Sequence, residues 1–294
     1  MSDLGPARGG VAVHARDARF QQWQALLGNR RKRHRAGAML VHGVRPISLA
    51  VEHGWEVREL LVALDHAPSR WARALVDDTA TGGDTGTGSG RVPVHALAPE
   101  LLAELGEKDE EVPEVLAVVA LPVDDLERLG APDDLLVVVL DRPTSPGNLG
   151  SVVRSADALG AHGVVVTGHA ADPYDPRAVR ATTGSLFALP VVRAPEPVTV
   201  LAWVEGLRER GVAVRTVATD ESGSDPVDAV DLTGPTVLLV GNETRGLSAA
   251  WRDAADVTVR IPMRGAASSL NLAAATTAVL YEAARQRRVT ASGP

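Results

Sequence analysis

Apolar positions recur along this chain with two periods, and the alternation between them predicts its elements. Phe20, Trp23, Leu26 and Leu27 share one face of a short helix, and the run Arg30 to Arg35 follows as a basic turn. Met39 to Val41 reads as a strand, Val44 to His53 as a helix and Val57 to Leu64 as a strand. Trp71 to Val76 is helical, Val92 to His95 a strand, Pro99 to Leu105 a helix and Val115 to Leu121 a strand. Thr79 to Gly90 is rich in Gly and Thr and reads as a surface loop. The pattern predicts a small α/β domain over residues 1–122.

A polar, proline-containing crossing segment, Pro122 to Asp134, leads to the strongest signal in the chain. Leu135-Leu136-Val137-Val138-Val139-Leu140 carries no polar side chain. A strand so uniformly apolar is central in its sheet and covered on both faces. Helices and strands then alternate: helix from Asn148 to Leu159, strand at Gly163 to Val166, helix at Pro176 to Thr182, strand at Leu189 to Val192. Val198 to Arg210 is a helix, Val212 to Ala218 and Val237 to Val240 are strands, and Ser248 to Asp253 is a helical turn. Val257 to Ile261 is the last strand, and Ser269 to Arg287 a long terminal helix with Leu272, Ala275, Val279 and Ala283 on one face. The expectation is a second α/β domain, residues 134–288, with a largely parallel sheet.

Composition narrows the chemistry. The 294 residues contain no cysteine, so disulfides, thiolate nucleophiles and Cys-ligated zinc are excluded. The eight histidines are scattered, and no metal site is expected. No stretch approaches the ~18–20 apolar residues of a membrane span, and Met1 to Gly10 lacks the apolar core of a secretion signal. A cytoplasmic protein is the expectation. The net charge of −7 is unevenly spread: residues 1–60 hold ten Arg or Lys against five Asp or Glu, while the rest is about −12. A basic head on an acidic body points to a polyanion partner, with Arg30, Arg31, Lys32, Arg33, Arg35 and Arg45 as the candidate phosphate contacts.

Three segments place Gly, Asn or Ser directly after an apolar run, where an open α/β sheet carries its ligand loops. In the first, Pro146-Gly147-Asn148 turns the chain into a helix, with Asn148 a candidate cap and Arg154 a turn and a half further on among Val152, Val153 and small residues. In the second, Gly241 and Gly246 bracket Asn242-Glu243-Thr244-Arg245, so that backbone N–H groups can approach a ligand beside a carboxylate. In the third, Ile261-Pro262-Met263 leads through paired serines, either of which can cap the terminal helix, to Asn271, a poor helix former in a first turn. Each alone is compatible with an ordinary turn or cap. Gly86 to Gly90 looks like a phosphate loop but has no preceding strand and no Lys-Ser/Thr, and no Gly-x-Gly-x-x-Gly opens a βαβ unit. Asp172 and Asp175 precede prolines and read as turn signals. Trp23, Trp55 and Trp71 read as core residues before base-stacking ones.

In order and spacing, the three segments resemble the signature motifs of the SpoU/TrmH family of RNA ribose 2′-O-methyltransferases, within the knotted SPOUT class: Asn148 with Arg154, then Asn242-Glu243 with Gly246-Leu247-Ser248, then Ile261-Pro262-Met263 with Ser269-Leu270-Asn271. Residues 1–122 look like that family's substrate-binding domain of the ribosomal-protein L30e type. The resemblance implies a mostly parallel α/β sheet with a deep trefoil knot, a homodimer with its interface at the knot, and S-adenosyl-L-methionine as cofactor. It places the cofactor at Thr219, Gly241, Asn242, Gly246, Ile261, Met263 and Leu270, and assigns catalysis to Asn148, Arg154, Glu243, Ser269 and Asn271. Phe20 to Arg30 and Asp141 to Asn148 resemble most the family's 23S rRNA enzymes. That implies methylation of a 23S rRNA ribose and resistance to a ribosome-targeting, avilamycin-like antibiotic. A tRNA ribose methyltransferase of the same family and a catalytically silent RNA-binding protein are the alternatives. The absence of a dinucleotide fingerprint speaks against an oxidoreductase.

Overall fold

The computed structural model describes residues 10–64, 66–81, 92–107 and 112–291. It divides into two compact units, Met1–Pro122 with Tyr174–Val179, and Val123–Pro173 with Arg180–Pro294. No described helix is long and apolar enough to cross a membrane.

The first unit runs β1 (Ala12–Val13), α1 (Ala18–Gly28), α2 (Arg30–Ala36), β2 (Ala38–His42), α3 (Val44–Glu52), β3 (Val57–Ala63), α4 (Arg70–Thr81), β4 (Val94–Leu97), α5 (Pro99–Gly106) and β5 (Val115–Ala120). Its five-stranded sheet has the order β1-β4-β3-β5-β2. The β1, β4 and β3 pairs are parallel, whereas β5 is antiparallel to both its neighbours. Phe20, Trp23 and Leu26, the predicted apolar face, pack with Leu40, Leu61, Leu97, Leu102 and Leu116 in one buried core. Trp23 donates its indole N–H to Glu59 at 2.7 Å, so its polar edge is satisfied inside that core.

The basic run is not a turn. It forms α2, whose first turn is capped by the Asn29 side chain accepting from the Lys32 N–H, and which ends at Gly37 in the left-handed region. A seven-residue helix tolerates this charge because Arg33, His34 and Arg35 fall in its last turn, where the helix dipole favours cations. The helix separates its arginines. Arg30, Arg31, Lys32 and Arg35 are exposed, but Arg33 is buried. The Arg33 guanidinium donates to the carbonyls of Leu26 and Leu27, both at 2.8 Å, closing the C-terminal turn of α1. Arg33 is therefore a structural cation and not a phosphate contact. Thr79 to Thr81, expected in a loop, continue α4. The remainder of that loop, with Gly86 to Gly90, lies outside the described residues.

The second unit opens with a short 3₁₀ turn, Leu126–Leu129, inside the crossing segment. It continues β6 (Leu136–Asp141), α6 (Pro146–Ala158), β7 (Gly163–Thr167), α7 (Pro176–Thr182, of which residues 176–179 are assigned to the first unit), α8 (Ser185–Ala188), β8 (Val191–Arg193), α9 (Pro197–Glu209), β9 (Arg215–Thr219), β10 (Asp225–Pro226), β11 (Thr236–Val240), α10 (Ala249–Asp253), β12 (Val257–Arg260) and α11 (Leu272–Ala291). All seven strands are parallel, in the order β10-β12-β9-β11-β6-β7-β8. β6 and β11 are central, and every residue of both is buried, as their apolar runs require. From β6 the chain builds outward through β7 and β8, then returns across the sheet to β9. The strand order therefore reverses between β6 and β11, and the loops leaving their carboxyl ends face a common crevice.

Two caps differ from the sequence reading. Ser145, not Asn148, caps α6: its hydroxyl accepts from the Asn148 N–H, and Pro146 takes the first helical position. Asn148 is thereby moved into the first turn with its side chain free for other work. At α11 the cap is Asn271, whose Oδ1 accepts from the N–H groups of Ala273 at 2.9 Å and Ala274 at 3.4 Å.

Candidate cofactor and catalytic site

The carboxyl ends of β9, β11 and β12 open onto a cavity of about 450 Å³, within the size range of small-molecule sites. Thr219, Gly241, Asn242, Gly246, Ile261, Met263 and Leu270 all line it, as do Glu243 and Ser269. Residues 219 to 270 thus converge on one space from three separate loops. The β11 loop comes close because of Gly241: a Cβ there would lie 2.4 Å from Gly246 C and Leu247 N. The loop then folds back on itself through paired backbone hydrogen bonds between Asn242 and Gly246, both 3.0 Å. Asn242 Oδ1 accepts from the N–H groups of Thr244 and Arg245, and its Nδ2 donates to Arg142 O at 2.6 Å. Two further acids, Asp220 and Glu221, stand on the rim with Glu243, against the single guanidinium of Arg245.

One hydrogen-bonded relay joins the three motifs. Asn271 spends its Oδ1 on the α11 cap and donates through Nδ2 to Asn148 Oδ1 at 3.1 Å. Asn148 in turn donates through Nδ2 to Glu243 Oε1 at 3.2 Å. The ends decide the direction. Backbone N–H groups can only donate and a carboxylate can only accept, so both amides have one allowed orientation. Glu243 also accepts from the Thr144 N–H and hydroxyl at 3.2 and 3.0 Å. Partial burial pushes the Glu243 carboxyl upward, but hydrogen bonds from its own backbone, Asn148 and Thr144 outweigh it, and the group is held below the ordinary glutamate range.

Four of the five residues assigned to catalysis therefore gather at this site: Asn148, Glu243 and Asn271 in the relay, and Ser269 on the cavity wall. Arg154 does not join them. It follows Asn148 by six residues on α6, which turns it away from the relay. It is exposed, and its guanidinium has no partner among the described residues. The Asn148 face instead continues to Ser155, whose hydroxyl is 2.7 Å from that of Thr277 on α11. Asp141, Arg142, Thr144 and Asp220 also bear on the site, although none has a site role in the sequence. The available signal was Asp141 itself, an acid ending a wholly apolar strand.

The model of the SpoU rRNA methylase family matches residues 135–281, and that of the SpoU L30e-like domain matches residues 17–117. The chain belongs to the SpoU methylase family. Among its SpoU relatives is the 23S rRNA (uridine(2479)-2′-O)-methyltransferase of Streptomyces viridochromogenes, 59% identical over 94% of this chain and 92% of that protein. The crystal structure of the SpoU methyltransferase AviRb from the same organism, in complex with the cofactor AdoMet, superposes with a TM-score of 0.86 over 93% of this chain and 99% of that one. An rRNA methyltransferase from Sinorhizobium meliloti, at 29% identity, superposes with a TM-score of 0.80 over 94% and 98% of the two chains.

Proposed function

We propose that this protein transfers a methyl group from S-adenosyl-L-methionine to a ribose 2′-hydroxyl of 23S rRNA, an EC 2.1.1 activity. The observation that carries this is the convergence of the cavity and the Asn271–Asn148–Glu243 relay on the carboxyl ends of one parallel sheet. The cavity suits the cofactor. Ile261, Met263, Leu270 and Leu272 supply apolar wall, the β11 loop supplies backbone groups, and Asp220, Glu221 and Glu243 supply negative charge near a cationic ligand. When bound, the cofactor supplies an electrophilic sulfonium methyl. The chain supplies the rest: the three loops hold the cofactor, and the relay fixes the Glu243 carboxylate and the α11 N-terminus relative to one another.

Arg154 is read as an anchor and polariser. A guanidinium keeps its proton, so it serves by holding a neighbouring phosphate and drawing charge from the 2′-hydroxyl. The hydroxyl proton passes to solvent late, after the new O–C bond begins to form and the S–C bond to break. We further propose the family's deep trefoil knot and a homodimer that completes the site around Arg154, cytoplasmic location with the substrate RNA, and protection against a ribosome-targeting antibiotic of the avilamycin kind. Exposed arginines of α2, with Arg45, fit the RNA backbone. The similarity to the 23S rRNA enzyme of Streptomyces viridochromogenes supports rRNA over tRNA.

The test is methyl transfer from labelled S-adenosylmethionine to separate 23S rRNA and tRNA pools. Transfer to 23S rRNA, with the label on a 2′-oxygen, is expected. Arg154→Ala should abolish turnover while leaving RNA affinity near that of the wild type. Label in tRNA alone would move the reading to the tRNA enzymes, and no transfer to either pool would remove it.

A further inference from the structure

We propose that Asp141 and Arg142 are a positioning pair that sets the 241–248 loop for its ligand. The inference rests on the reading of the cavity as a cofactor site. Neither residue lines the cavity, so any effect on binding passes through the loop.

The two residues hold the loop at both ends. Asp141, the last residue of β6, is 2% exposed, and both its carboxylate oxygens are engaged. Its Oδ1 accepts from Arg142 Nε at 2.9 Å, and its Oδ2 accepts from Arg142 Nη2 at 2.9 Å and from the Ser248 N–H at 2.7 Å. Arg142 Nη2 also donates to Gly246 O at 3.1 Å, while the Arg142 carbonyl accepts from Asn242 Nδ2. One dipeptide at the carboxyl end of β6 therefore fixes residues 242, 246 and 248, and the segment between them forms part of the cavity wall. The planar guanidinium suits this arrangement, because its fork spans both carboxylate oxygens while the same side chain reaches the Gly246 carbonyl.

Backbone strain points the same way. Arg142 has φ +55°, in the left-handed region that side chains enter only at a cost. The turn is kept with an arginine in it, and the neighbouring chain is shaped to admit that arginine. Gly168, at φ +69°, would place a Cβ 2.4 Å from Arg142 Cγ. An ordinary turn would carry glycine at 142. The observed arrangement makes sense if the Arg142 side chain does something the turn itself does not require.

Two variants of the full chain test this from opposite sides. Arg142→Lys keeps the charge beside Asp141 but gives up the fork and the Gly246 contact. Gly168→Ala alters no charge; it presses on the Arg142 stem and adds left-handed backbone strain at residue 168. In both, backbone amides over 244–248 should exchange with solvent faster while the rest of the second unit keeps its protection. The Kd for S-adenosylmethionine should rise about ten-fold, the effect of losing one charged hydrogen bond. KM for the cofactor should follow it, with KM for RNA unchanged. Exchange and binding like those of the wild type in both variants would overturn the positioning role. If the loop loosens but the wild type itself binds no S-adenosylmethionine, the pair stands as a loop-setting device and the cofactor reading falls.

Discussion

Asn271 does two jobs through two atoms, and a change of one atom separates them. Its Oδ1 caps α11 and its Nδ2 feeds the relay. Asn271→Ala loses both functions. Removing an Asn cap costs about 1 kcal/mol, which for a unit of this size lowers Tm by roughly 2–4 °C. Asn271→Asp keeps an acceptor for the Ala273 and Ala274 N–H groups and adds a negative charge at a helix N-terminus, worth about 0.3–1 kcal/mol. It also puts an oxygen against Asn148 Oδ1. The Asn148 amide can turn over to meet it, but would then aim its own oxygen at Glu243. One end of the relay must be left facing like against like. Losing a hydrogen bond that positions reacting groups costs about 1.5–3 kcal/mol when a charge is involved, or roughly 10- to 100-fold in rate. The expected result is an Asn271→Asp chain with wild-type Tm and kcat lowered by at least about ten-fold. Asn271→Ser, which retains a cap but cannot span to Asn148, should behave alike. Paired thermal denaturation and methyl-transfer assays on 23S rRNA read the two quantities separately. Full turnover in Asn271→Asp would refute the relay, and a Tm as low as that of Asn271→Ala would refute the cap.

Two further outcomes follow from the charges. Because hydrogen bonding depresses the Glu243 carboxyl below its unfolded value, its contribution to stability is full above the ordinary glutamate range, near pH 4.3. It is lost as pH falls through the lower folded value. The Tm difference between wild type and Glu243→Gln should accordingly be constant from neutral pH down to that range and shrink below it; a difference that grows on acidification would contradict this sign. On α2, neutralising Arg30, Arg31 and Arg35 together should weaken RNA binding and flatten its salt dependence, whereas Arg33→Gln should lower Tm and leave the salt slope unchanged, since Arg33 already serves α1. An equal slope change from both would return Arg33 to the RNA surface.

The parallel sheet of the second unit was legible because burial on both faces leaves a plain mark: β6 and β11 are apolar at every central position. The two-residue edge strand β10, Asp225–Pro226, had no such mark, since an edge needs neither length nor apolar residues. Cap positions misled for a related reason. Ser145 and Asn148 are both good caps, and what decides between them is Pro146, which fits the first helical position and so fixes where α6 begins. Within the basic run, burial of Arg33 could not be seen, because it depends on the free carbonyls that α1 presents one helix away.

At the site, the sequence carried the participants but not their pairing. Asn148 lies 95 residues from Glu243 and 123 from Asn271 along the chain, and only the return of β11 beside β6 and the packing of α11 on α6 bring them within hydrogen-bond distance. That arrangement explains why Asn, with a donor and an acceptor on one rigid group, stands at two of the three positions. A relay running from helix N–H groups to a carboxylate needs links that accept at one end and donate at the other. A hydroxyl is too short for the span, and a second carboxylate cannot donate. It also explains why Arg154 need not share the Asn148 face of α6. Glu243 is already satisfied by neutral donors, and an arginine beside it would be drawn into an ion pair there. Turned outward, the guanidinium stays available for an anionic substrate, and the relay holds its geometry without it.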